Sequence, residues 1–122
     1  MGGCEMEIEE FSMYIILHAG DAKSLMYEAL QNARNGAFEQ TESKMNQASL
    51  ELLKAHKFQT KFIHEDAKFN LERLPVLLIH AQDHLMTVMA EKNLIEELIM
   101  MYRKQHQLEE KIELVVEKIG GL

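Results

Sequence analysis

The chain has 122 residues, 47% of them hydrophobic, which is the length of one domain able to bury about two-thirds of the surface its unfolded form exposes. A net charge of -7 without any basic cluster excludes a nucleic-acid footprint or an anionic membrane surface and makes a basic protein the natural partner. The apolar runs Met13–Leu17 and Leu74–Ile79 fall far short of the ~20 residues that a membrane-spanning helix needs, and the acidic start does not read as a secretory leader, so a cytoplasmic protein is expected.

One proline, six glycines and an abundance of Leu, Met, Ala, Glu, Lys and Gln predict an all-α chain. The lone Cys4 has no intramolecular partner and reads as a residue of a frayed chain end. The first helix is expected from about Met6 to Arg34, where Ile8, Phe11, Ile15, Ala22, Leu25, Ala29 and Ala33 recur at helical spacing and Asn35-Gly36 supplies a C-terminal cap. Gly20-Asp21 is a weak point within it, and Gly20 reads as a place of close helix approach or a kink.

A second helix is expected from about Phe38 to Asp66, with Met45, Ala48, Leu52, Ala55, Phe62 and Ile63 as its apolar stripe. His56 and Gln59, one turn apart on it, are expected to make a hydrogen-bonded contact to a neighbouring helix. A loop from Lys68 to Leu74 should lead to Pro75 as a first helical residue, since the N–H that proline lacks has no acceptor there. The third helix then runs towards Ile119, before Gly120-Gly121.

Leu94, Ile95, Leu98, Ile99, Met100, Met101 and Tyr102 cover more than one face of that helix, which predicts self-association. From about Gln105 the chain turns charged while Leu108, Ile112, Val115, Val116 and Ile119 keep spacings of three and four, the pattern of a helical, coiled-coil-like tail. Residues 1–104 are thus read as the domain and 105–122 as a charged helical extension. The nine methionines read mainly as core filler, with Met86 and Met89 also suited to an adaptable docking surface.

The chemistry concentrates in His80-Ala81-Gln82-Asp83-His84-Leu85-Met86-Thr87. On a helix His80, Asp83, His84 and Thr87 share a face, while Gln82 points about 200° away from His80. A zinc site is disfavoured because Ala81 stands where a metalloprotease has its glutamate, and the sequence lacks the Glu-x-x-His pairs that supply the ligands of a di-iron bundle. A nucleophilic role fits better. A neutral imidazole accepts a phosphoryl group on one ring nitrogen, and His80 lies near the amino end of its helix, where free N–H groups favour an anion. With no nucleotide-binding glycine loop in the chain, the phosphoryl donor must be another protein. A helical scaffold, whose polar cluster only specifies assembly, is the alternative.

That stretch resembles the signature of the enzyme IIA component of lactose/cellobiose-type sugar phosphotransferase systems. Ala19-Gly20-Asp21-Ala22-Lys23-Ser24 and Ala55-His56-Lys57-Phe58-Gln59-Thr60 resemble the family's first- and second-helix motifs, and the likeness spans roughly Met6 to Lys104. It implies an up-down-up three-helix bundle that assembles as a homotrimer, takes a phosphoryl group from HPr and passes it to a cysteine of the cognate enzyme IIB during disaccharide uptake. His80 matches the phosphorylated histidine, and His84 and Gln82 match supporting residues beside it. Asp83 matches an aspartate that meets its symmetry mates at the threefold axis around a divalent cation, commonly Mg2+. Residues 105–122 fall outside the resemblance, and Phe69 and Leu71 stand where small residues are more usual. Ala81 is closer to the cellobiose or chitobiose branch than to the lactose branch. His18, His64 and His106 read as ordinary polar positions.

Overall fold

In the computed structural model the backbone is described for residues 2–69 and 76–121, and side chains for residues 8–61 and 76–121. Three helices account for the described chain: α1 (Gly2–Arg34), α2 (Phe38–Phe69) and α3 (Val76–Gly120). The expected loop from Lys68 does not begin there, since Lys68 and Phe69 continue α2; Asn70 to Pro75, including the expected helix-initiating proline, lie outside the described residues. So do the side chains of Cys4, Phe62, Ile63 and His64.

α1 ends as its sequence dictates. Gly36 adopts φ 79°, a left-handed conformation open to glycine without steric cost. The N–H of Gly36 bonds the carbonyl of Ala33 at 3.1 Å and that of Ala37 bonds Asn32 at 2.8 Å, closing a Schellman motif over the last turn. The reversed chain enters α2 at once, and Thr41 stitches the hairpin together. Its buried hydroxyl donates to the Ala37 carbonyl at 2.9 Å and reaches the Ala29 carbonyl of α1 at 3.3 Å.

Contacts between the helices fix their directions. Phe11 meets Phe58 and Thr41 meets Ala29, so α1 and α2 are antiparallel. Ile8 packs with Leu78, Tyr27 with Glu91 and Arg34 with Tyr102, so α1 and α3 run the same way. The result is the up-down-up three-helix bundle expected, with α1 packed against both other helices. Its core is lined by small side chains: Ala19, Ala22, Ala33, Ala48, Ala55 and Ala81 are fully buried beside Ile15, Met26, Leu85 and Val88. Side chains this short let helix backbones approach closely, towards the lower end of the usual ~8–10 Å interaxial distance.

Gly20 is not a place of close helix approach among the described residues. α1 runs through it without interruption, and a Cβ added there meets nothing within 4 Å. Glycine is therefore not needed for a close approach at this point.

The two apolar faces of α3 separate cleanly. Ile95 and Ile99 are buried in the bundle, while Leu94, Leu98 and Met101 are 65%, 41% and 65% exposed. His106 is no idle polar residue: its ring sits against Gly36, meets Phe38 edge-on at 5.3 Å and brings Nε2 to 3.4 Å from the Arg34 carbonyl. Arg103 reinforces this corner, pairing with Glu42 at 2.9 Å and lying over the Phe38 ring at 4.7 Å. Beyond His106, every described residue from Gln107 to Gly121 is exposed. At 1.5 Å per residue that stretch projects about 22 Å past the α1–α2 turn.

Candidate phosphoryl-acceptor site

The site lies on the first three turns of α3. Leu78, Ala81, Leu85 and Val88 turn inward and anchor that end of the helix in the core. The same register leaves His80, Asp83 and Thr87 exposed and His84 half-buried, as the spacing requires. The rings of His80 and His84 lie nearly parallel, 15° apart in plane, with centroids separated by 6.3 Å. Among the described residues no side-chain hydrogen bond or ion pair occupies the ring of His80, so it is open to a reactant arriving from solvent.

His80 is the fifth residue of α3. Helical side chains tilt towards the N-terminus, which carries this ring over the first turn, where backbone N–H groups have no acceptor within the helix. That turn contains no acidic residue to compete for them. An anion at the ring therefore enters a field of partial positive charge.

Thr87 belongs to the same face but is committed elsewhere, since its hydroxyl donates to the Asp83 carbonyl at 2.9 Å. Gln82 is half-buried on another flank of α3 and is not brought to the ring of His80. Asp83 is exposed on the stripe that also carries Ile79 and Met86, both more than half exposed. Its carboxylate has no ion-pair partner among the described residues of its own chain. One carboxylate supplies too few of the oxygens a hard divalent cation needs. Asp83 fits a cation only if other copies of the chain complete the set.

A second group of ligand-type atoms, on His18, Asp21 and Glu51, lies within 4.8 Å. Two of its members are already paired: His18 Nδ1 contacts Glu51, and Lys54 holds the other Glu51 oxygen at 3.3 Å, while Asp21 is exposed. His18 is thus an interhelical link and not the ordinary polar position expected, with the Tyr14 ring at 4.0 Å fixing its imidazole. The hydrogen bond from His18 is the main cause that holds the Glu51 carboxyl below its usual pKa, helped by Lys54 and opposed by burial. On the other side of α1, Tyr27 donates to Glu91 at 2.9 Å and Lys23 reaches the same carboxylate at 3.5 Å. The hydrogen bond that Tyr27 donates to Glu91, and the negative charge of that carboxylate, raise the Tyr27 pKa.

Among the described residues the expected contact from His56 and Gln59 does not form. His56 is exposed, and Gln59 Oε1 is buried with no hydrogen-bond partner among the described residues. Side-chain pairing depends on the rotamer and on the axial register of the facing helix, neither of which residue spacing reveals.

The family described as "PTS system, Lactose/Cellobiose specific IIA subunit" matches residues 10–103. The chain is 43% identical over 98 residues to the N,N'-diacetylchitobiose-specific EIIA component of Escherichia coli K12, covering 80% of this chain and 84% of that protein. Its fold is similar to that of the PTS cellobiose-specific enzyme IIA from Bacillus anthracis, with a TM-score of 0.77, 38% identity, and 82% and 92% of the two chains covered. It is also similar to IIA(Chitobiose) in the solution structure of the IIA(Chitobiose)–HPr complex from Escherichia coli, with a TM-score of 0.73, 40% identity, and 81% and 96% covered. With its bundle, its motif and nearly all of residues 10–103 accounted for in this way, the chain belongs to the lactose/cellobiose-specific IIA family of the phosphotransferase system.

Proposed function

We propose that the chain is a phosphocarrier that accepts a phosphoryl group from phospho-HPr on His80 and passes it to the cysteine of its cognate enzyme IIB during disaccharide uptake. The single observation behind this reading is the exposed imidazole of His80, unengaged among the described residues, on the amino-terminal turns of α3. The similar IIA(Chitobiose) was solved in complex with HPr, which supports HPr as the donor.

In the first transfer the lone pair of Nε2 on His80 attacks the phosphorus of the donor phosphohistidine in line. A new N–P bond forms as the old one breaks, and the electron pair returns to the donor ring. In the second, a thiolate on enzyme IIB attacks the same phosphorus and leaves His80 neutral, so no nucleotide or redox partner takes part. His84, one turn on, supports the loaded phosphoryl oxygens, and Gln82 serves from the flank in contact with a partner protein. The chain's net negative charge speeds encounter with a donor whose contact surface is basic.

The working unit is a cytoplasmic homotrimer in which three copies of Asp83 surround the axis. A divalent cation there, Mg2+ by chemistry, offsets the repulsion of carboxylates brought together. No described helix is long and apolar enough to cross a membrane.

The test is incubation of the protein with phosphoenolpyruvate, enzyme I and HPr, followed by intact mass measurement before and after mild acid. One acid-labile phosphate per chain is expected, absent in His80→Ala with helicity unchanged. Full phosphate acceptance by that variant overturns the assignment. No uptake by the native chain, under conditions where a control enzyme IIA is phosphorylated, leaves the helical scaffold.

A further inference from the structure

Phosphoryl transfer makes no use of His18, Asp21 and Glu51. His18 and Asp21 stand three residues apart on one face of α1, and Glu51 reaches His18 from α2, so the group bridges two helices. One ligating atom from each, an imidazole nitrogen and two carboxylate oxygens, lies within 4.8 Å of the other two. Bonds of about 2.0–2.2 Å in a tetrahedral zinc site set the donors roughly 3.4 Å apart, so small side-chain adjustments close the set.

Each donor is prepared for a cation. The half-buried ring of His18 is fixed by the Tyr14 ring at 4.0 Å, and its Nδ1 meets Glu51 Oε2. A metal ion takes the place of the proton between those two atoms, and that proton moves to Nε2. Lys54 holds the other Glu51 oxygen at 3.3 Å, which leaves Oε2 for the ion. Asp21 is exposed, and its carboxylate has no hydrogen bond or ion pair among the described residues. A neutral imidazole and two carboxylates carry two negative charges between them, which a divalent cation cancels. Beside the carboxylates opens a cavity of about 300 Å³, lined by Asp21, Ser24, Leu25, Glu28 and Glu51, with room for a solvent molecule in the fourth position. Glu28 is already paired with Lys44 at 2.9 Å and is not one of the ligands. The imidazole decides which ion fits, since nitrogen suits zinc and its neighbours whereas Mg2+ keeps to oxygen.

We infer that His18, Asp21 and Glu51 form a binding site for Zn2+, which clamps α1 to α2 and keeps its fourth position open to solvent. Ile8 packs against Leu78, which puts His18 about 12 Å further along the bundle than His80. The ion takes no part in phosphoryl transfer, and the inference is independent of the phosphocarrier reading.

Calorimetric titration of the metal-stripped full chain with zinc chloride tests it. An Asp83→Leu, His84→Ala background removes the other candidate carboxylate and breaks the His80–His84 pair. One Zn2+ per chain is expected, with a zinc-dependent rise in melting temperature. Asp21→Asn, at an exposed position with no partner to lose, should keep native helicity, weaken zinc binding at least tenfold and abolish that rise. His18→Gln and Glu51→Gln should weaken zinc binding at least as much, and a large excess of Mg2+ should leave the zinc in place. No zinc uptake by the background chain, unchanged zinc affinity in Asp21→Asn, or displacement by Mg2+ overturns the site. Acid-labile phosphate on the native chain is scored separately and bears on His80 alone.

Discussion

At the scale of the residue, His80 differs from His18 and His106 in having no side-chain hydrogen bond or ion pair among the described residues. His18 is tied to Glu51 and packed beneath Tyr14, and His106 is wedged against the α1–α2 turn, whereas His80 stands exposed with the ring of His84 one turn away. A nucleophile must be accessible and must not spend its lone pair on a structural partner. The His18–Glu51 link leads to a prediction about pH. Because Glu51 has a lowered folded-state pKa, its contribution is fully present above the ordinary carboxylate range and is lost as pH falls through the folded value. Glu51→Gln is expected to lower the melting temperature by a few degrees at pH 7, with the gap to the native chain closing in acid. Thermal melts between pH 7 and pH 3 measure this, and a gap independent of pH would contradict it.

At the scale of the element, Gly20 offers a direct test of helix energetics. It sits in the interior of α1 with open space around an added Cβ, so Gly20→Ala is expected to stabilise the chain by about 0.5–1 kcal/mol, as measured by denaturant unfolding. A loss of stability would show that another copy's backbone lies close there. The helices were largely legible because their signals are local. Asn35-Gly36 ends α1 through a motif made entirely of neighbouring backbone groups, and the i, i+3, i+4 spacing placed His80, Asp83 and His84 on one face before any fold was known. The far end of α2 was less legible, since Ala67, Lys68 and Phe69 carry no stop signal and the helix runs on through them. Least legible were contacts between distant segments. His106 meets the Arg34 carbonyl across 72 residues, a contact set by where α3 happens to pass the α1–α2 turn. Gln59 was read as paired on the general habit of buried polar atoms, yet its oxygen has no such partner among the described residues.

At the scale of the whole molecule, the single chain leaves apolar side chains exposed along one side of α3. Ile79, Met86, Leu94, Leu98 and Met101 are all exposed, and Asp83 stands among them with its carboxylate unpaired among the described residues. Burying that side against other copies gathers identical carboxylates, a cost that a cation or bound protons must offset. Asp83→Leu removes both the charge and the need for compensation. The expected outcome is loss of bound divalent metal by elemental analysis with the assembly still intact by sedimentation. Unchanged metal content would remove Asp83 from the axis.

The length of α3 also sorts the molecule's encounters in space. From His80 to Ile119 the helix rises about 58 Å at 1.5 Å per residue, and the bundle turns its corner at His106, well before the far end. The chain is therefore bipolar. Anything that binds its C-terminal tip stands several nanometres from His80, so docking at one pole leaves the other sterically free.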